Sequence, residues 1–269
     1  MLVIGERINA SNKSVGQAIA SKDEGFLANL AKAQSDAGAD FIDVNVGVGQ
    51  GTRENAAATM EWLIGVVQAA TDRPLAIDSD DHQVIEAALH RYHGEQVMIN
   101  SVNAEPDRLE AIGRLAVEHQ ASLVALVTGE GGIPSTVEKR LAASELIMTH
   151  LTRLGVNEEQ VFFDPLVIPI SVDSNQAIIT LKTIEQIKSR YPAAKTVAGL
   201  SNISFGLPSR GMINRAFLLM AAYAGLDAAI LDPLDAKLMN LVRVADLLTG
   251  KDIACRGFIR AHRKGILVD

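Results

Sequence analysis

Eight short apolar runs, each followed by a longer segment of helical period, recur from one end of this chain to the other. The runs lie near Leu2–Gly5, Phe41–Asn45, Leu75–Asp78, Val97–Asn100, Leu123–Val127, Val161–Asp164, Thr196–Gly199 and Ala228–Leu231. Apolar residues at three- and four-residue spacing predict helices over Phe26–Ala37, Ala56–Ala70, Val84–Tyr92, Leu109–His119, Glu138–Leu154, Ala177–Arg190, Ile213–Ala224 and Ala236–Leu248. Strands this short and continuously apolar are buried on both faces, which is the condition of a parallel sheet covered by helices. Eight such units predict a closed (β/α)8 barrel, the TIM barrel, and 269 residues is an ordinary size for one. A doubly wound open sheet is the competing architecture. No low-complexity linker interrupts the series, so residues 1–269 read as a single domain.

Apolar residues make up 48% of the chain and aromatics only 4%, so the core must be built from Ala, Val, Ile and Leu. The net charge of −7 argues against a nucleic-acid backbone as partner. It leaves room for an anionic small molecule, because local fields can oppose the net charge. With Cys255 alone, neither an intramolecular disulfide nor a thiolate-rich zinc site is available. The opening residues Met1 to Arg7 reach charge too soon for a signal peptide, and no apolar run spans a bilayer. A soluble cytoplasmic protein, free of the membrane, is the expectation.

Polar residues gather at one end of the predicted strands: Asp43 and Asn45, Asp78, Asn100, Asp164, then Gly199-Leu200-Ser201-Asn202. In a barrel these C-terminal ends converge on one mouth, where enzymes of this fold place their chemistry. Taken singly, each is more often a helix cap or turn residue; five strands ending this way point to a polar site. Asp and Asn are hard oxygen ligands that suit magnesium, but no His joins them at ligand spacing. A planar heterocycle with several N–H donors is the better match, since ionised Asp only accepts hydrogen bonds while Asn donates and accepts. The 2-aminopyrimidinone edge of a pterin offers such donors side by side. Residue types alone support only a polar small-molecule site.

Gly5-Glu6-Arg7-Ile8-Asn9, Asp43-Val44-Asn45-Val46-Gly47, Met98 to Glu105, Asp164-Pro165-Leu166 and Gly199-Leu200-Ser201-Asn202 together resemble the motifs of the methyltetrahydrofolate–corrinoid methyltransferases. The likeness covers nearly the whole chain in the same order. It extends to the folate module of cobalamin-dependent methionine synthase and, more distantly, to dihydropteroate synthase. Within the family the chain most resembles the stand-alone methyltransferases of corrinoid-dependent demethylation systems. The resemblance implies a pterin-binding, dihydropteroate synthase-like barrel in which Asp78, Asn100 and Asp164 hold the pterin, with Gly199 and Ser201 nearby. Asn202 would lie beside N5, the nitrogen that exchanges methyl, as the catalytic residue. Glu6, Asp43 and Asn45 match family motifs at the same mouth. The resemblance further implies tetrahydrofolate and methyltetrahydrofolate as substrates, a corrinoid (cobalamin) carried by a partner corrinoid protein, a homodimer, and no metal bound by the chain itself. The implied direction is methyl-corrinoid to tetrahydrofolate; the reverse, toward a corrinoid/iron-sulfur protein, is the alternative.

Other signals weigh less. Asp80-Asp81-His82 begins the Asp-x-His-x-x-Gly signature of a cobalt-ligating histidine, but Ile85 stands where Gly is required, so His82 reads as a surface residue. Gly129-Glu130-Gly131-Gly132-Ile133-Pro134 lacks the spacing and Lys of a P-loop and reads as a flexible loop at the mouth. Trp62, between Met60 and Leu63, reads as core. Lys182, Lys188 and Arg190 read as solvated, and Cys255 as unreactive. Dihydropteroate synthase needs basic residues for a departing pyrophosphate. Its Lys after the seventh strand is missing from Ser201-Asn202-Ile203-Ser204, and only Arg256, Arg260 and Arg263 weakly resemble its anion site. A non-catalytic folate-binding barrel would keep the pocket and show no turnover.

Overall fold

The computed structural model describes residues 1–47, 53–129 and 131–267. Its strands are β1 (Leu2–Asn9), β2 (Phe41–Asn45), β3 (Leu75–Asp78), β4 (Val97–Val102), β5 (Ser122–Leu126), β6 (Val161–Asp164), β7 (Lys195–Gly199) and β8 (Ala228–Leu231). Each pairs in parallel with the next, and β8 pairs back onto β1 from Leu2↔Ala228 to Gly5↔Leu231. That last pairing closes the barrel and excludes the open sheet.

The helices α2 (Glu24–Asp36), α3 (Arg53–Ala70), α4 (His82–Arg91), α5 (Pro106–Glu118), α6 (Val137–Leu154), α7 (Gln176–Arg190), α8 (Arg210–Ala224) and α9 (Ala236–Leu248) answer to the eight predicted segments. Two helices have no counterpart in the periodicity, α1 (Lys13–Ala20) and α10 (Arg256–Arg263), each only eight residues long. β1 also runs four residues beyond its apolar stretch, with a register shift against β2 between Gly5 and Ile8. Among the described residues, no helix is long and apolar enough to cross a membrane.

Strand alternation divides the core into two compartments. One residue from each strand (Ile4, Phe41, Ala76, Met98, Val124, Phe162, Val197 and Ala228) fills the barrel interior. Their strand neighbours, such as Val3, Ile42, Ile77, Ile99, Leu123, Phe163, Ala198 and Ala229, pack outward against the helices. The interior is therefore a plug of side chains and not a pore. Two residues further along every strand the chain faces the lumen again, at Glu6, Asp43, Asp78, Asn100, Leu126, Asp164, Gly199 and Ile230. Leu126 and Ile230 still pack on the plug; the other six open the mouth.

Trp62 packs against the core from its edge and is partly buried: its Nε1 donates to Glu24 Oε1 at 3.0 Å and Lys22 Nζ lies 4.0 Å from its ring. Its neighbours Met60 and Leu63 are the buried ones, because the helical period turns Trp62 toward the α2 flank. One surface expectation needs correcting: Lys188 is not a free surface cation. Its ammonium donates to Ala194 O and Asp227 Oδ2, both at 2.9 Å, tying α7 to the start of β8. Arg190 pairs with Glu145 at 2.8 Å, and Lys182 is exposed as expected.

Phe162 is 1% exposed and is among the largest side chains of the plug. Phe162→Ala should destabilise the fold by about 3–5 kcal/mol in a denaturant titration. Lys182→Ala should change stability by no more than about 0.5 kcal/mol.

Candidate active site

The six lumen-facing positions above the plug place three aspartates, a glutamate, an asparagine and a glycine in one ring. Asn45, two residues beyond Asp43, adds a second carboxamide. Adjacent strands interlace these groups. Asn45 on β2 donates through Nδ2 to Asp78 Oδ2 on β3 at 2.7 Å. Asn100 on β4 reaches past β3 and donates to Asp43 Oδ1 on β2 at 3.1 Å. Asn45 Oδ1 in turn accepts from the Gly47 N–H at 2.6 Å, which fixes the amide's orientation. Asp43 and Asn100 are 2% and 9% exposed, so this carboxylate and the carboxamide that serves it sit where water cannot reach them fully. Asp164 Oδ1 accepts from the Leu166 N–H at 2.8 Å, curling the chain after β6 into a tight turn in which Leu166 adopts φ +66°.

The β7 end is built differently. Leu200–Ser204 forms a 3-10 turn directly after Gly199. A side chain at Gly199 would place its Cβ 3.2 Å from the Asn202 amide nitrogen, so glycine leaves the room in which that amide folds back over the strand end. Ser201 Oγ faces Glu6 Oε2 at 3.5 Å. Arg210, at the start of α8, locks the turn by donating to Ser201 O at 2.8 Å and Ser204 Oγ at 3.1 Å. Gly5, on β1, makes room in turn, because any Cβ there would collide with Gln34 Oε1 at 2.5 Å. That oxygen instead accepts from the Arg7 N–H at 3.0 Å.

Burial raises every carboxyl in the ring. Glu6 is pushed up to about 7, first by desolvation and then by Asp232. Asp43 is held well above the usual carboxylate range by burial and by Asp78, against the opposing hydrogen bond from Asn100. Asp78 is raised to about 6 by desolvation, although Asn45 and Arg108 favour its ionised form. Asp164 also reaches about 6 through burial, opposed by the Leu166 N–H and by Arg140. Near neutrality the mouth thus offers ionised acceptors at Asp78 and Asp164 beside groups that retain a proton more readily. Such a set accepts paired N–H donors from a planar ligand edge and can hold or yield a proton.

All nine residues singled out from the sequence lie at this mouth: Glu6, Asp43, Asn45, Asp78, Asn100 and Asp164 on strands, and Gly199, Ser201 and Asn202 at the β7 end. Two arginines that support it were not anticipated. Arg108, on the first turn of α5, spans the β3 and β4 ends by donating to Ser79 O at 3.0 Å and to Asp80 O and Ser101 O. Arg140 braces the β6 end from α6. Its signal was its place on the buried stripe Arg140-Ala143-Ser144-Ile147-Leu151, where an arginine is out of character. His82 is exposed and opens α4 behind the cap Asp81, as expected. In the Gly129–Pro134 stretch, Gly132 N donates to Gly129 O at 2.9 Å and Thr128 Oγ1 to Gly132 O at 2.7 Å; Glu130 lies outside the described residues. Arg256, Arg260 and Arg263 are exposed on α10, which packs against α9. Among the described residues, no cluster of three or more His, Cys, Asp or Glu is placed to hold a metal ion.

A carboxyl whose pKa is higher folded than unfolded costs stability as pH rises past its unfolded value, and the full cost is present above its folded one. For Glu6 that window runs from the ordinary 4.5 to about 7. Glu6→Gln should therefore stabilise the unliganded protein at pH 8 by up to about 3 kcal/mol. The gain should shrink toward zero below pH ~4.5 in thermal melts across that range.

Comparison with known proteins agrees with this geometry. Residues 5–232 match the pterin binding enzyme family. The methylcorrinoid:tetrahydrofolate methyltransferase of Eubacterium limosum is 33% identical over 269 residues, covering 98% of this chain and 97% of its own. The methionine synthase of Mycobacterium leprae (strain TN) is 35% identical over 260 residues, which is 91% of this chain but 21% of that protein. A dihydropteroate synthase structure from Stenotrophomonas maltophilia shares the fold, with a TM-score of 0.69 and 17% identity over 94% of this chain and 93% of that one. The chain belongs to the pterin-binding enzymes and, within them, to the family of the methylcorrinoid:tetrahydrofolate methyltransferase.

Proposed function

We propose that this barrel transfers a methyl group from a methyl-corrinoid to N5 of tetrahydrofolate, with the pterin seated on Asp78, Asn100 and Asp164 and the reacting nitrogen beside Asn202. The observation that carries this reading is the interlaced ring of carboxylates and carboxamides above an apolar plug. Its residues face donors of the kind a 2-aminopyrimidinone edge presents, and they do so at the only end of the barrel where a substrate meets strand C-termini. Gly199 and Ser201 shape the wall next to Asn202. Asp43 and Asn45 hold the acceptors in place, and Glu6 flanks the β7 wall beside Ser201.

The reaction is an in-line displacement. The N5 lone pair attacks the methyl carbon, the carbon–cobalt bond breaks, and its electron pair stays with cobalt. The proton that N5 carried departs. Much of the rate of such a step comes from positioning. The Asn202 amide does not titrate usefully, but it can accept from a protonated N5 or donate to its lone pair after a flip, biasing the nitrogen without committing it. That suits a transfer that runs both ways, so the reverse reaction uses the same residues.

The corrinoid arrives on a separate protein docked over the mouth, since His82 is exposed at the start of α4 and Ile85 occupies the position where a cobalt-ligating signature requires Gly. The functional unit is a single domain of residues 1–269, assembled as a homodimer.

The test is anaerobic mixing of the protein with methylcobalamin and tetrahydrofolate, following the cobalt spectrum and methyltetrahydrofolate by mass spectrometry. Protein-dependent loss of methyl-cobalt with matching methyltetrahydrofolate is the expected result. Asn202→Ala should slow single-turnover transfer by about 100-fold or more while changing tetrahydrofolate affinity only a few-fold. Stopped-flow rates close to wild type would remove Asn202 from the mechanism.

A further inference from the structure

Among the described residues, Arg140 is the largest side chain that the fold buries completely, at 0% exposure. A guanidinium keeps its charge at any working pH, and burying a charge away from water costs several kcal/mol unless its donors and its field are answered. The donors are answered entirely by neutral acceptors. Nε donates to Pro134 O at 3.1 Å, and Nη2 to Gln176 Oε1 at 2.9 Å. Nη1 donates to Pro165 O at 2.7 Å and Leu166 O at 3.0 Å, with Thr180 Oγ1 further off at 3.4 Å. The acid whose field reaches Arg140 is Asp164.

The two backbone carbonyls that Arg140 Nη1 gathers are those of the residues immediately after Asp164. The second belongs to Leu166, whose own N–H binds Asp164 Oδ1 at 2.8 Å. Thr180 Oγ1 also donates to Leu166 O at 3.1 Å, and Gln176 is fixed through its Nε2 bond to Asp173 at 2.9 Å. A single planar fork therefore grips the Asp164-Pro165-Leu166 turn, the first turns of α7 and, at Pro134, the end of the β5–α6 loop.

We infer that Arg140 is a positioning residue for the pterin site: from behind β6 it sets the direction of the Asp164 carboxylate and supplies the counter-charge that lets this carboxylate stay ionised in the barrel. The inference rests on the pterin reading of the mouth and deepens it. The groups facing Asp164 from the neighbouring elements leave Arg140 as the charge that acts on it. Leu126 stands opposite on β5, Thr196 opposite Phe163 on β7, and Gln176 and Thr180 come from α7. Burial raises the Asp164 carboxyl, and Arg140 opposes that rise.

Two variants of the full chain separate charge from geometry. Arg140→Met removes both. Arg140→Lys keeps the charge but has no fork with which to span Pro134, Pro165, Leu166 and Gln176 together. The readouts are the carboxyl 13C titration of Asp164 in the unliganded protein, assigned by Asp164→Asn, and anaerobic tetrahydrofolate affinity between pH 5.5 and 8.5. In Arg140→Met the Asp164 titration should move up by about one unit or more. Its tetrahydrofolate affinity at pH 7 should fall about tenfold, with the deficit shrinking at pH 8.5. In Arg140→Lys the titration should stay near wild type while affinity falls several-fold at every pH. An unmoved Asp164 titration in Arg140→Met overturns the charge role, and wild-type affinity in Arg140→Lys overturns the positioning role. If Arg140→Met does not fold, Arg140→Lys alone still decides the positioning role. Absence of tetrahydrofolate binding by the wild type would remove the pterin reading, and the Asp164 titration would then decide the inference without folate.

Discussion

Glu6, Asp43, Asp78 and Asp164 are carboxyl groups drawn out of water into the lumen of one barrel, and the rest of the mouth is organised around that cost. Strand alternation leaves no freedom in the matter. Once Ile4, Phe41, Ala76 and Phe162 fill the interior, the residues two positions on must face the same cavity. Desolvation is the leading cause of the raised pKa at each of the four groups. A purely structural protein would have no use for such an arrangement, because apolar residues at these positions would close the barrel more favourably.

The protein limits the cost in two ways. Inside the lumen, Asn45 and Asn100 donate to carboxylates on neighbouring strands, so the acids are held apart and aimed by neutral groups. Outside it, arginines reach around the strand ends. Arg108 gathers carbonyls from the β3 and β4 ends, beside Asp78 and Asn100. Arg140 gathers carbonyls from the turn after Asp164. Neither arginine pairs with a ring carboxylate, so Asp78 and Asp164 feel a positive field from behind while the oxygens not engaged by Asn45 or the Leu166 N–H stay open to a ligand. The β7 side carries a glycine and a turn instead of an acid, which leaves the Asn202 amide as the polar group over that sector.

Much of this was legible in the chain itself, for identifiable reasons. Strands buried on both faces leave unbroken β-branched runs, and a polar residue ending such a run marks the open end of the barrel. Asp43, Asp78, Asn100 and Asp164 stand out by that rule. Glu6 was harder to place: the Glu6-Arg7 pair looks like the end of β1, although the strand continues through a register shift to Asn9. Helices α1 and α10 are too short for periodicity to register. Arg140 is marked only as an arginine on an otherwise buried stripe and Lys188 not at all, because their partners are largely backbone carbonyls and side chains brought close only by the closed fold, such as Leu166 and Asp227. Residue type identifies a carboxylate that needs donors, but a donor that needs carbonyls carries no mark of where it will find them.

The most direct test of the ring as a pterin site is the proton count of binding. Tetrahydrofolate should be titrated anaerobically by calorimetry at pH 6 and pH 8, in buffers of different ionisation enthalpy. Paired N–H donors favour ionised carboxylates, so seating the pterin on Asp78 and Asp164, both raised to about 6, should expel protons at pH 6 and very few at pH 8. Heats that do not depend on the buffer at pH 6, or proton uptake there, would show that the ligand does not rest on these carboxylates.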